Sequence, residues 1–134
     1  MYMQTENYGH YCCLNKISDK KIEFFNLYGL YPDKQFKFTD YNINKKIKQN
    51  HTYLSWLMYK SPYKLSFNHH KFQTKTPPVQ TCGFHCANRI KYKKLKLNVY
   101  KDVADQSVKL LKKNGLTSAN YDDWVVVNIY DEVF

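Results

Sequence analysis

Short segments of alternating apolar and polar residues dominate the N-terminal half of the chain. Residues 11–14 and 21–25 predict two short strands, and the polar connector NKISDK between them predicts a hairpin. YKLSFN alternates as an exposed strand does, whereas TYLSWLMY suits a strand or a helical turn equally. The polar stretch through Asn50 could hold a short helix or a loop. This half of the chain therefore predicts a small sheet.

The spacing becomes helical after QTKTPPVQT, a predicted loop because its two prolines cannot donate hydrogen bonds. A helix is expected over residues 82–90, with Asn88, Arg89 and Lys91 on its polar side. The predicted apolar stripe of this helix comprises Phe84, Ala87 and Ile90. Cys82 would then lie in the first turn.

A second helix is predicted over residues 98–113, ending at a cap formed by Asn114 and Gly115. The last run, DDWVVVNIYDEVF, is rich in β-branched residues and predicts a strand. No internal repeat is visible. We therefore expect residues 1–134 to form a single α+β domain, with a small mixed sheet and a central helix that begins at Cys82.

Composition supports a folded domain with an aromatic core, since 17% of the 134 residues are aromatic and 43% are hydrophobic. The net charge of +10, supplied almost entirely by lysine, predicts attraction to polyanions such as DNA, although lysine clusters also suit solvated faces. No apolar run is long enough to span a membrane, and no secretory signal is visible. The four cysteines are therefore expected to be reduced, catalytic or metal-bound rather than joined in disulfides.

A thiol at a helix N-terminus lies beside unpaired amide donors, which favour the thiolate, so Cys82 is a candidate nucleophile. Such a nucleophile needs an imidazole base and a group that orients it. His10 and Asn26 are candidates because His10 begins the first predicted strand, after Gly9, and Asn26 ends the second, so two strand ends could bring them together. His85 follows Cys82 by three residues and is expected at the surface or behind the site.

The remaining histidines and cysteines have simpler interpretations. His51 and the pair His69-His70 are expected in solvent, although the pair is close enough to Gln73 for a role in a substrate groove. A zinc site is an alternative for the cysteines, but no Cys-x-x-Cys pair occurs, and adjacent Cys12 and Cys13 would point to opposite faces of a strand. Cys13 and Cys86 are therefore expected as small apolar core residues.

Three segments, GHYCCLNKISDKKIEFFNLYGLYPD, LSFNHHKFQ and TCGFHCANRI, together resemble the adenain-like cysteine proteases of adenoviruses, Maverick/Polinton elements, virophages and giant DNA viruses. These enzymes are relatives of the SUMO-specific proteases. The resemblance implies an adenain-like fold in which His10 is the general base, Asn26 its orienter and Cys82 the nucleophile. Gln73 would bind the oxyanion together with the backbone amide of Cys82, and Gln80 is the alternative for that role.

The chain departs from this family's pattern at several points. Three residues differ in type: Tyr11 stands where the family usually has Trp, Asn26 where it more often has an acidic residue, and Leu27 where it has a small residue. The spacing also differs, because Gln73 precedes Cys82 by nine positions, a longer gap than expected. Only nine residues precede His10, where relatives carry several dozen, so a shortened, split or decayed member of the family is expected, whose site could be incomplete or inactive.

The resemblance implies a viral cysteine endopeptidase that cleaves capsid or core precursor polypeptides during virion maturation. We expect a monomer without a required metal or organic cofactor, located in the virion and in the host-cell cytoplasm or viral factory, with DNA or a viral peptide as a candidate activator. The alternative is a noncatalytic, truncated protease-fold protein that binds nucleic acid or virion components. A deconjugating protease for ubiquitin-like proteins would use the same catalytic groups.

Overall fold

The computed structural model describes residues 2–5, 8–73 and 80–130. In these ranges the chain forms two small sheets and a set of helices, so the α+β prediction is confirmed. Most of the predicted loop QTKTPPVQT lies outside the described residues. No helix within the described ranges is long and apolar enough to cross a membrane.

The strands form an antiparallel pair and a three-stranded mixed sheet. Strands β1 (Tyr2–Thr5) and β2 (Tyr8–His10) make the pair. Strands β3 (Cys13–Ser18) and β4 (Lys21–Phe25) form the predicted hairpin, with its first strand longer than expected. Strand β5 (Lys64–Phe67), the predicted YKLSFN strand, pairs with β4 in parallel. His10 therefore ends a strand, whereas the sequence placed it at the start of one.

A parallel pair needs a long crossover, and this one contains three helical segments between β4 and β5. A 3-10 helix spans Lys34–Phe38, helix α1 spans Tyr41–Lys46 and helix α2 spans Tyr53–Lys60. TYLSWLMY is therefore helical. The carboxylate of Asp40 accepts a hydrogen bond from the backbone N–H of Ile43 and so caps α1.

The two predicted C-terminal helices are confirmed within one residue at each end. Helix α3 spans Cys82–Lys91 and helix α4 spans Leu97–Lys113. Asn114 is the C-cap of α4, and Gly115 follows with a φ of 99°, a conformation that glycine adopts readily.

The final run is a helix, α5 (Tyr121–Tyr130), so the predicted strand is wrong. Asn120 and Asp123 explain this, because they form a reciprocal cap. The Asn120 side chain accepts from the backbone N–H of Asp122 at 2.8 Å, and Asp123 accepts from the N–H of Asn120 at 2.8 Å. Burial of Trp124 and Val125 against the core then outweighs the strand propensity of the valines.

Helix α3 is oriented opposite to the prediction. Phe84 and Ile90 are 39% and 48% exposed, whereas Asn88 and Arg89 are buried. Buried polar partners account for the reversal: the Arg89 guanidinium donates to both carboxylate oxygens of Glu23 in β4, at 2.7 and 2.9 Å, and Asn88 donates to the hydroxyl of Tyr100 at 3.1 Å. The polar face of α3 therefore packs inward.

The predicted aromatic core is confirmed. It lies between the sheet and helices α3, α4 and α5, and it includes Phe25, Leu27, Phe72, Tyr100 and Trp124 together with Cys82 and Cys86.

Candidate active site

His10 and Asn26, paired on sequence grounds, are in direct contact. Nε2 of His10 lies 3.0 Å from Oδ1 of Asn26, and both side chains are buried. The contact follows from chain geometry, because β2 ends at His10 and β4 ends one residue before Asn26. Two strand ends therefore bring the imidazole to the amide.

The tautomer of His10 follows from a second hydrogen bond. The backbone N–H of Tyr28 donates to Oδ1 of Asn26 at 3.0 Å, which identifies that atom as the amide oxygen. Nε2 of His10 must then carry the proton that it donates to Oδ1. Nδ1 is the remaining nitrogen, and its lone pair can accept a proton from another group.

The surroundings of His10 favour its neutral form. Burial lowers the pKa of His10 below its usual value, and the hydrogen bond to Asn26 offsets part of this effect. Tyr28 stacks on the imidazole with ring centroids 4.5 Å apart and limits its rotation. A neutral, oriented imidazole is the form that can act as a base.

Asn68 holds the backbone of Asn26 in place. Its Oδ1 accepts from the N–H of Asn26 at 2.8 Å, and its Nδ2 donates to the carbonyl of Asn26 at 2.7 Å. The same Nδ2 also donates to the carbonyl of His70 at 2.9 Å. One buried amide therefore joins the segment that carries Asn26 to the segment that leads to Gln73.

Gly29 allows these two segments to approach closely. It has a φ of +65°, and a Cβ added to it would lie 2.4 Å from the backbone oxygen of His69. A larger residue would force the segments apart as well as strain the backbone. The supporting role of Asn68 was missed because the sequence showed it only as the end of the alternating YKLSFN segment.

Gln73 is buried and close to this arrangement. The N–H of Phe72, the preceding residue, donates to the carbonyl of Leu27 at 2.8 Å, and Leu27 directly follows Asn26. The side-chain oxygen of Gln73 is buried without a hydrogen-bond partner in the part of the chain that the structure describes. This unmet atom is an acceptor and suits an N–H group of a ligand, whereas an oxyanion would be bound by the side-chain N–H groups of Gln73. Gln80, the sequence alternative, is exposed.

Cys82 begins α3 and packs in the same core cluster as Leu27 and Phe72. The cluster therefore connects the thiol to the residues that follow Asn26 and precede Gln73. Cys82 is 7% exposed, and its position in the first helical turn agrees with the prediction. Unpaired amides and the positive end of the helix dipole lie at this terminus.

A second buried pair, not anticipated from the sequence, supports the start of α3. Nε2 of His85 lies 3.2 Å from Oδ1 of Asp122, and the Thr81 hydroxyl donates to the same oxygen. Burial lowers the pKa of His85, and the bond to Asp122 opposes this. His85 is fully buried, so the expected surface position is wrong. Its place beside Thr81, the residue before Cys82, fits a supporting role behind the site.

His70 also differs from the expectation of a solvated loop. His69 is exposed, but His70 is half-buried, and its Nε2 lies 3.1 Å from the hydroxyl of Tyr121 in α5. That hydroxyl in turn donates to Asp105 in α4. The segment before Gln73 is thus tied to two helices. His51 is exposed, as predicted.

Two of the other three cysteines, Cys12 and Cys86, have raised pKa values, whereas Cys13 competes with Cys82 because its pKa is lowered. Burial raises the pKa of Cys12 to about 12. A hydrogen bond between Cys13 and Cys86 lowers the pKa of the Cys13 thiol and raises that of Cys86. Cys86 is buried in the core and Cys13 packs against it, as predicted. Over the described ranges, no group of three or more His, Cys, Asp or Glu side chains is arranged to hold a metal ion.

The chain is similar to a protein of a virophage. "Uncharacterized protein V9" of Sputnik virophage is 40% identical over 105 residues, which cover 78% of this chain and 60% of that protein. The chain thus spans about 60% of the length of its virophage relative. No family model matches the chain, and no solved structure matches it.

Proposed function

We propose that the protein is an adenain-like viral cysteine endopeptidase with Cys82 as nucleophile, His10 as general base and Asn26 as its orienter. The observation that carries this proposal is the hydrogen bond from Nε2 of His10 to Oδ1 of Asn26, which leaves Nδ1 to accept a proton. A helix-terminal thiol in a core cluster that includes Leu27, the neighbour of Asn26, adds support. The residue order His, Asn, Gln, Cys is that of the family that the sequence resembles.

The proposed reaction begins when Nδ1 of His10 takes the proton of the Cys82 thiol. The thiolate attacks the scissile carbonyl, and the resulting oxyanion is bound by the Cys82 backbone N–H and the Gln73 side-chain amide. The intermediate collapses to a thioester as the leaving amine takes the proton from His10. Water, deprotonated by His10, then hydrolyses the thioester and regenerates the thiol.

The substrates proposed are viral capsid or core precursor polypeptides, and the sites of action are the virion and the host-cell cytoplasm or viral factory. The protein acts as a monomer and needs no metal or organic cofactor in this proposal, with DNA or a viral peptide as a candidate activator. A deconjugating protease for ubiquitin-like proteins shares the same catalytic groups and differs in its substrate.

The test is site-resolved alkylation of the folded protein with iodoacetamide near pH 6.5, read by mass spectrometry. We expect Cys82 to react first, and His10→Ala to slow its alkylation by at least about tenfold, because the thiolate loses its partner base. A Cys13→Ser background removes the competing thiol, whose pKa is lowered by Cys86.

His51→Ala is the matched control, since it removes an exposed histidine instead of a buried one. It should leave the alkylation of Cys82 unchanged. Circular dichroism on each variant separates loss of reactivity from loss of fold. Alkylation of Cys82 no faster than that of Cys12, or unchanged by His10→Ala in a folded variant, would refute the catalytic proposal.

A second candidate function is noncatalytic binding of nucleic acid or virion components. Exposed lysines favour it, in the clusters Lys45-Lys46-Lys48, Lys91-Lys93-Lys94-Lys96 and Lys112-Lys113. Nonspecific DNA binding should weaken steeply with salt and should tolerate Cys82→Ala and His10→Ala. Fluorescence anisotropy with a random-sequence duplex at 50 and 200 mM NaCl tests it, and salt-independent binding would contradict it.

A further inference from the structure

A cavity of about 470 Å³ opens between the hairpin and the crossover helices, within the range of about 300–1,000 Å³ that is common for ligand sites. Its walls are mostly apolar and come from β3, β4, the 3-10 helix and α2. The apolar residues that line it include Leu14, Phe24, Phe36, Leu54 and Leu57. Such a concave apolar surface can accept a large apolar side chain.

Helix α2 carries several exposed, large apolar residues, some of which line the cavity while others are their neighbours in the helix. Tyr53 and Leu57 line the cavity and are 61% and 44% exposed, and Trp56 and Tyr59 are 51% and 78% exposed. Tyr53 and Trp56 stack on each other, with ring centroids 5.6 Å apart. A cluster of exposed apolar residues beside a cavity is typical of an interaction site.

The segment that forms much of this site is rich in lysine. Residues 41–60 contain four lysines and no acidic residue, and one of these lysines, Lys48, lines the cavity. Among the described residues that line it, the one carboxylate is Asp33, which is buried and accepts a hydrogen bond from the backbone N–H of Ser55 at 2.7 Å. A complementary partner is therefore acidic as well as apolar.

We propose that the cavity and the exposed face of α2 form a docking site for an acidic peptide segment of another protein, which inserts one large aliphatic or aromatic side chain into the cavity. The cavity supplies the apolar anchor site, and the lysines attract the acidic flanks. This inference does not rest on Cys82 chemistry. It holds equally for a protease and for a noncatalytic binding protein.

A synthetic peptide array tests the proposal directly. Each peptide has two central positions varied over all residues, with flanks of Asp and Glu in one set and of Ser and Gly in the other. We expect the 134-residue chain to select aliphatic or aromatic centres with acidic flanks. The best peptide is then labelled with fluorescein, and its affinity is measured by anisotropy at moderate salt.

Two variants locate the site, each with a matched control. Leu57→Asp should weaken binding of the selected peptide at least tenfold. Leu110→Asp, at an exposed position of α4, should change the affinity less than twofold. Lys48→Glu should weaken binding by a factor of three to ten, whereas Lys113→Glu should not. All four positions are exposed, so the variants are expected to fold, which circular dichroism verifies.

Several results would overturn the proposal. They include no preference for apolar centres, equal binding of neutral and acidic flanks, and equal loss in Leu57→Asp and its control. Displacement of the peptide by oligothymidylate would assign the site to nucleic acid. A dimer in sedimentation that Leu57→Asp dissociates would assign this face to a second copy of the chain.

Discussion

The described part of the molecule contains two buried histidines that each bond to another buried side chain, and the two differ in the partner and in their place in the fold. His10 bonds to a neutral amide, Asn26, at the ends of two strands, whereas His85 bonds to a carboxylate, Asp122, between two helices. A histidine–carboxylate pair is the more familiar catalytic arrangement, yet this one is fully buried and shares its carboxylate with Thr81. Nδ1 of His85 is also buried without a partner among the described residues, so unmet hydrogen-bonding capacity does not distinguish the two pairs. Their positions do, because His10 lies where two strands end and His85 lies beside Thr81 in the helical core.

The largest expected effect is on stability, from the pair in the helical core. Asp122→Ala removes the acceptor of both His85 and Thr81, so we expect the free energy of unfolding to fall by about 3 kcal/mol. Urea denaturation measures this. The comparison fails if the loss is below about 1 kcal/mol, because Asp122 would then not support the start of α3.

Asn68→Ala should affect the other pair by loosening its backbone support. Loss of the hydrogen bonds to Asn26 and His70 should cost about 2 kcal/mol of stability. It should also slow Cys82 alkylation in the molecules that remain folded, because Asn26 no longer holds His10 in one orientation. Ser66→Ala, which removes one hydroxyl on neighbouring β5, is the control and should leave alkylation unchanged.

Both pairs should make stability depend on pH in the same direction. Burial lowers the folded-state pKa of His10 and of His85, so the unfolded chain binds more protons below about pH 6.5. The free energy of unfolding should therefore be fully retained above that pH and should fall as the pH decreases towards the folded pKa. The slope is at most about 1.4 kcal/mol per pH unit for each imidazole.

Urea titrations at pH 7.5, 6.5 and 5.5 measure this slope. His85→Gln should reduce this slope by up to about 1.4 kcal/mol per pH unit, the contribution of one proton. His51→Ala, at an exposed site, should leave the slope unchanged. An unchanged slope in folded His85→Gln would mean that the pKa of His85 is not lowered in the native state.

The smallest effect expected is a change in the pKa of one imidazole. Asn26→Asp gives His10 a carboxylate partner, as His85 has in Asp122. The negative charge favours the protonated imidazole, so the pKa of His10 should rise by about one unit. The amide nitrogen of Asn26 has no hydrogen-bond partner among the described residues, so its replacement by oxygen breaks no bond. Titration of the imidazole by NMR gives the value, and an unchanged pKa would contradict the contact.

Local signals predicted the hairpin, helices α3 and α4 and the pairing of His10 with Asn26, because strand ends and caps depend on neighbouring residues. The inward face of α3 could not be predicted, since it depends on Glu23 in a distant strand accepting from Arg89. The reciprocal cap formed by Asn120 and Asp123 was readable, but the valines of α5 favoured a strand. The supporting residues Asn68 and Asp122 act across the fold and leave no local pattern.

The parallel pairing of β4 with β5 has a consequence for biosynthesis. The chain must complete its whole crossover before β5 can pair, and only then can Asn68 reach Asn26. Such long-range pairing forms slowly compared with local helices. Under the proposed mechanism, a nascent or partly folded chain would carry Cys82 without an oriented imidazole, and newly made molecules would be inactive until folding is complete.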